Sequence, residues 1–256
     1  MSIETSFDPT PTAQVNTWDF LSTDHRKLDA CIFNFSYKVM DALLEQDLLE
    51  LIDDGSTLKC VSCNFPVYVF KGTNIGVVKN YVGAVMTGGL MEDLCYAFSC
   101  KKIILFGSCG GLDRELTAGK LIVPTAAYRD EGMSYHYAPA ADFIDIKYHD
   151  TVASVLDRLH IPYVKGKTWT TDAFLRETKR NMEARKAAGC ICVEMEASAC
   201  QAIADFRGYE FYPFFYTADN LDSTEWDEGI LSSIGLDERL KHFYIALEIA
   251  KSVTEV

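Results

Sequence analysis

Short apolar runs alternate with longer segments of helical spacing along most of the chain. The apolar runs predict strands over residues 30–35, 67–70, 76–81, 102–106, 120–124, 163–169, 190–193 and 211–216. Helical spacing predicts helices over 39–52, 87–99, 150–160, 176–188, 195–206 and 236–253. In the last of these, Leu240, Phe243, Tyr244 and Leu247 mark one apolar face. Strands alternating with helices imply an α/β fold, with a central mixed β-sheet covered by helices on both faces. Residues 1–24 are polar, contain Pro9 and Pro11, and read as an irregular arm. No composition break divides 25–256, which reads as one domain. In such folds ligands bind beyond the carboxyl ends of the strands, so motifs that follow a strand carry the functional weight.

Charge narrows the partners. The 256 residues hold 24 Lys and Arg against 37 Asp and Glu, a formal net charge of −13. That balance disfavours nucleic acid and anionic membrane surfaces, both of which need clustered cations. An anionic substrate would depend on local donors working against the global field. No run of 18 apolar residues occurs, and the N-terminal residues lack the basic flank and apolar stretch of a signal peptide. With nine cysteines, the expectation is a cytoplasmic chain with free thiols. Cys31, Cys95, Cys100, Cys190 and Cys192 fall in apolar or helical segments, as small hydrophobes do. Cys60 and Cys63 form a single C-x-x-C pair without a partner pair, so no metal site is expected.

Four segments carry candidate chemistry. Gly107-Ser108-Cys109-Gly110-Gly111 follows the predicted strand 102–106 and reads as a tight turn able to present backbone N–H donors. Its spacing matches neither dinucleotide nor Walker patterns. Val193-Glu194-Met195-Glu196 joins a strand to a helix. Where the chain passes from strand to helix the strand alternation is broken, so one of Glu194 and Glu196 is expected to face a cleft while the other is tied into the fold. Asp219, after the strand 211–216, is a candidate general acid, though Asp219-Asn220 also suits a turn. Residues 127–139 gather Arg129, Asp130, Glu131, Ser134, His136 and three tyrosines in an expected loop.

Taken in order, these segments resemble the nucleoside phosphorylase/uridine phosphorylase superfamily. The resemblance covers roughly residues 30–250. It is carried by the glycine-rich segment 107–111 with Ala118 to Pro124, and by Arg129-Asp130-Glu131-Gly132-Met133-Ser134-Tyr135-His136-Tyr137. Thr170-Thr171-Asp172-Ala173-Phe174 and the V-E-M-E run 193–196 complete it. It implies reversible phosphorolysis of a nucleoside N-glycosidic bond, with phosphate as co-substrate and no other cofactor, in a homodimer or homohexamer. It further implies that Glu196 and Met195 hold the ribose, with Glu194 beside them. Phe174 would stack near the base, and Ser108, Cys109 and Gly110 would line the substrate site. Asp219, in the position of the purine-specific branch, would protonate a purine base as it leaves.

Two positions depart from the family pattern. Where phosphorylases show G-D-P-x-R, this chain has Asn34 to Lys38, which makes Lys38, with Ser108, the expected phosphate contact. Arg180 lies near the uracil-binding Arg of uridine phosphorylases, but Thr178 stands where those enzymes have Gln. A purine nucleoside phosphorylase is therefore expected. Uridine phosphorylase, a hydrolytic nucleosidase and an inactive nucleoside-binding protein are the alternatives.

Overall fold

In the computed structural model, residues 3–58, 63–223 and 225–254 are described, so the Cys60 half of the C-x-x-C pair lies outside the described residues. In chain order the strands and helices are β1 (Ala30–Asn34), α1 (Tyr37–Glu45), β2 (Leu49–Asp53), β3 (Val67–Phe70), β4 (Ile75–Lys79), α2 (Ala84–Ala97), β5 (Lys102–Gly111), α3 (Arg114–Thr117), β6 (Leu121–Asp130), β7 (Phe143–Asp145), α4 (His149–Arg158), β8 (Tyr163–Thr171), α5 (Lys179–Ala187), β9 (Cys190–Glu194), α6 (Ala197–Arg207), β10 (Glu210–Asn220) and α7 (Leu236–Thr254).

The strands form one mixed sheet in the order β10-β6-β8-β9-β5-β1-β4-β3-β2. β5 also pairs with β10, so β5, β10, β6, β8 and β9 close into a ring, while β1, β4, β3 and β2 extend it as an open flank. Alternation along the buried strands feeds two cores. Cys31, Phe33, Ile103 and Leu105 pack toward α2 and α6. Ala30, Ile32, Ile104 and Phe106 pack toward α1, α4 and α7. This is the sheet covered on both faces that the pattern implied. Cys31, Cys95, Cys100, Cys190 and Cys192 are buried and unbridged. No helix among the described residues is long and apolar enough to cross a membrane.

Several boundaries differ from expectation. The helix expected over 39–52 is α1, ending at Glu45, followed by a turn and β2. Asp47 takes a φ of +55° in that turn, a conformation that Asp tolerates better than most residues. The helix expected from 176 starts at Lys179, because the Thr178 hydroxyl accepts the Asn181 N–H and caps it. Much of the expected loop 127–139 is the end of β6, running to Asp130, and then a 3-10 turn, Met133–His136.

The glycine-rich segment 107–111 is not a turn. It is the second half of β5, and none of its glycines has a positive φ. Close packing explains the composition. A Cβ on Gly107 would lie 3.3 Å from the Phe35 ring, and one on Gly111 would lie 2.9 Å from Thr217 Cγ2. At Gly110 a Cβ would meet Leu221 and, at 3.0 Å, Val193 Cγ1. The glycines let β5 accept β9 on one side and β10 on the other, which closes the ring.

Residues 3–24 run over the α2 and α6 side. There Trp18 meets Tyr96 at a centroid distance of 6.4 Å, and the Pro11 carbonyl accepts a 3.0 Å bond from Arg207.

Candidate active site

A cavity of about 420 Å³ opens beyond β1, β9 and β10 and along the glycine-rich half of β5. Ser108, Cys109, Gly110, Phe174, Glu194, Met195, Glu196 and Asp219 line it, so four separate chain segments reach one place. Arg180 and Lys38 do not. Both are exposed, on the first turns of α5 and α1, and neither lines the cavity. The one Lys or Arg among the described lining residues is Arg239 of α7. Its Nε donates to the Ile234 carbonyl at 3.4 Å, and its Nη groups have no partner among the described residues. Asn34, Glu177, Tyr216 and Leu231 also face the cavity without having been singled out in the sequence. A lone Arg in an amphipathic helix and a lone Glu after an aromatic give no pattern by which to find them.

The two glutamates of V-E-M-E divide their roles. β9 ends at Glu194, and its carboxylate is fully engaged by the fold. One oxygen accepts from the Thr168 and Thr170 hydroxyls at 3.2 and 2.5 Å. The other accepts the Glu196 and Ala197 N–H groups, each at 2.7 Å. Glu194 thus ties β8 to β9 and satisfies the first N–H groups of α6. Its expected direct role in substrate binding gives way to a positioning role, since its lone pairs are already used. Burial pushes its carboxyl up, and these four donors oppose that rise. Thr170 Oγ1 also accepts the Ser198 N–H at 3.1 Å, while Ser198 donates to Glu131 at 2.8 Å.

Glu196 is also buried but far less engaged. Its Oε1 accepts the Gly83 N–H at 2.7 Å. Gly83 precedes α2 with a φ of +111°, a conformation open to glycine, and this aims the N–H at the carboxylate. Burial, reinforced by the neighbouring Glu194 charge, pushes the Glu196 carboxyl up to about 8.

Asp219 reaches the cavity through a β-bulge. Strand alternation would put Tyr216 and Asp219 on opposite faces, but the register of β10 against β5 shifts between Thr217 and Asp219, so both line the cavity. Asp219 pairs with Gly110, and its Oδ2 accepts the Trp226 indole N–H at 2.8 Å. Burial raises its carboxyl above the usual range, opposed by that hydrogen bond.

The segment around Arg129 is held by the fold. Arg129 is buried. It donates to Ser134 Oγ at 2.9 Å and to the Pro139 and Ala138 carbonyls at 2.6 and 3.2 Å, which pins the turn after β6. His136 is exposed and outside the cavity. Asp172 accepts the Gly132 N–H at 3.0 Å, locking that turn to the end of β8. Among the described residues no three His, Cys, Asp or Glu side chains are grouped to hold a metal ion. A larger, mostly apolar groove of about 830 Å³ shares Tyr216 and Asp219 but contains neither Glu196 nor Ser108. The candidate site is therefore the smaller cavity, which holds the V-E-M-E and glycine-rich residues.

The model of the phosphorylase superfamily matches residues 33–248. The chain belongs to that superfamily. A DeoD-type purine nucleoside phosphorylase of Buchnera aphidicola subsp. Acyrthosiphon pisum is 24% identical over 187 residues, 71% of this chain and 76% of that protein. Among solved structures of the superfamily fold, the purine nucleoside phosphorylase of Toxoplasma gondii superposes with a TM-score of 0.70 at 16% identity, covering 93% of this chain and 94% of that one. An AMP nucleosidase of Bacteroides thetaiotaomicron superposes with a TM-score of 0.67 at 18% identity, covering 88% and 89%. The fold is thus shared with a purine nucleoside phosphorylase and with an AMP nucleosidase.

Proposed function

We propose that the protein cleaves the N-glycosidic bond of a purine nucleoside with phosphate as nucleophile, giving the free base and a pentose 1-phosphate. The carrying observation is that Glu196, at the start of α6, and Asp219, on β10, line one cavity in which Arg239 is the one Lys or Arg among the described lining residues. As the C1′–N9 bond lengthens, its electron pair moves to the base and positive charge develops on the sugar. A protonated Asp219 gives its proton to N7 of the departing purine, and its raised pKa favours that form. Glu196 accepts from the ribose hydroxyls, and positive charge developing on the sugar favours its ionised form, which stabilises the oxocarbenium-like sugar. Met195 packs against the sugar, and Phe174, 58% exposed on the cavity wall, stacks on the base. Arg239 and the Ser108 hydroxyl hold the phosphate whose oxygen forms the new bond to C1′. The purine nucleoside phosphorylases among the relatives support this reading.

One observation favours hydrolysis as a second reading. A single arginine faces four lining carboxyl groups, a weak cradle for a dianion. Product identity separates the two. Sugar 1-phosphate formed only when phosphate is present supports phosphorolysis, whereas free sugar formed at an equal rate in phosphate-free buffer overturns it. In the phosphorolytic case, Arg239→Ala raises the half-saturating phosphate concentration by about tenfold or more, the scale of losing a charge-assisted hydrogen bond. Lys38→Ala leaves it nearly unchanged.

A further inference from the structure

Glu177 is the one lining carboxylate with no task in the fold. It follows the 3-10 turn Phe174–Arg176, its N–H bonds the Phe174 carbonyl at 3.4 Å, and it lines the cavity together with Asp219. Among the described residues its half-buried carboxylate makes neither a hydrogen bond nor an ion pair. Glu194 has four donors, Glu196 has Gly83 and Asp219 has Trp226. A partly desolvated acid without a partner is costly to keep, and such groups concentrate where a ligand completes them.

We propose that Glu177 reads the exocyclic group of the leaving base, accepting a hydrogen bond from the 6-amino group of a 6-aminopurine nucleoside and disfavouring 6-oxopurines. The assignment rests on the purine nucleoside function proposed above. Along the edge of interest, adenine presents N7 as an acceptor and its amino group as a donor, whereas a 6-oxopurine presents two acceptors. The pair on the cavity wall is complementary to adenine. Asp219 faces N7 as the proton donor, and Glu177, which when ionised can only accept, takes the amino N–H. A 6-oxopurine would set its O6 against a carboxylate.

The same chemistry makes the selectivity depend on pH. Burial, with the nearby Asp219 charge adding to it, pushes the Glu177 carboxyl up to about 7. The other titratable or charged groups among the described lining residues are Cys109 of β5, Tyr216 of β10, Glu194 and Glu196 at the β9–α6 junction, and Arg239 of α7. Below neutrality, protonated Glu177 can donate to O6 and tolerates the oxopurine. Above neutrality the carboxylate rejects it, so the preference for the aminopurine grows as pH rises.

The test measures kcat/KM for adenosine and inosine at pH 6 and pH 8 in the native chain, Glu177→Gln and Glu177→Ala. The native protein should prefer adenosine by on the order of 10- to 100-fold at pH 8, the discrimination a good donor–acceptor match supplies, and by less at pH 6. Glu177→Gln should bring the ratio toward one or invert it, because its amide can donate to O6. Glu177→Ala should flatten the ratio and abolish its pH dependence. A native preference for inosine, or a ratio unchanged in Glu177→Gln, overturns the role of Glu177 while leaving purine cleavage standing. Cleavage of uridine with neither purine touched overturns the purine reading itself and this role with it. The pH dependence of the native ratio needs no variant, so misfolding of a mutant cannot shield the proposal.

Discussion

Replacing Glu196 with Gln should make the protein more stable and less active at once. The buried carboxyl is pushed from an ordinary 4.5 to about 8 in the folded chain. Between those values the folded state holds a proton that the unfolded chain has released. Stability therefore falls as pH rises from about 4.5, and the cost is complete above about 8. At pH 7 the charge-burial cost is up to about 3 kcal/mol, from roughly 1.4 kcal/mol for each pH unit crossed. Glutamine keeps an oxygen for the Gly83 N–H, now 2.7 Å from Glu196 Oε1, and carries no charge to desolvate. Thermal unfolding of both proteins between pH 5 and pH 8 checks this. The gap should be small at pH 5 and widen with pH to several degrees, at roughly 2–4 °C per kcal/mol for a chain of this size. Activity should move the other way, with kcat/KM on the nucleoside falling on the order of 10²-fold, the scale of losing a strong transition-state stabiliser. A melting difference that does not change with pH would refute the electrostatic argument, and near-native turnover would remove Glu196 from the site.

Two further substitutions probe the wall opposite. Asp219→Asn retains an oxygen for Trp226 but has no proton to give, so purine nucleoside cleavage should drop by roughly 10²–10⁴. Nucleosides whose base leaves without protonation should lose much less, and an equal loss on both kinds would argue against general acid catalysis. Gly110→Ala forces a methyl between Leu221 and Val193 and within 3.5 Å of Asp219 Oδ1. It should cost about 1–3 kcal/mol in chemical denaturation and also lower kcat, whereas an unperturbed midpoint would show that the β5–β9–β10 junction has slack.

Much of the scaffold follows from local pattern. Runs such as residues 30–33 are apolar at every position because both faces of the sheet are covered, and α7 shows its apolar spacing openly. V-E-M-E is legible because a strand end and a helix start fall within a few residues, which forces Glu194 and Glu196 apart. Asp219 is legible as an acid at a strand end. What local pattern misjudged depends on partners distant in the chain. Residues 107–111 look like a turn because glycine has the same local freedom in a turn as in a strand pressed between two others. Only Phe35, Val193 and Thr217, from three other segments, show that the missing Cβ atoms are needed for packing. Lys38 and Arg239 illustrate the same limit. Lys38 is at the familiar place in sequence but is exposed and does not line the cavity, while Arg239 arrives from a helix two hundred residues later in the chain. The order of residues determined which groups could do chemistry. The closure of the β5–β10 ring and one bulge after Thr217 decided which of them share a cavity, because burial and side-chain direction depend on neighbours that only the folded chain supplies.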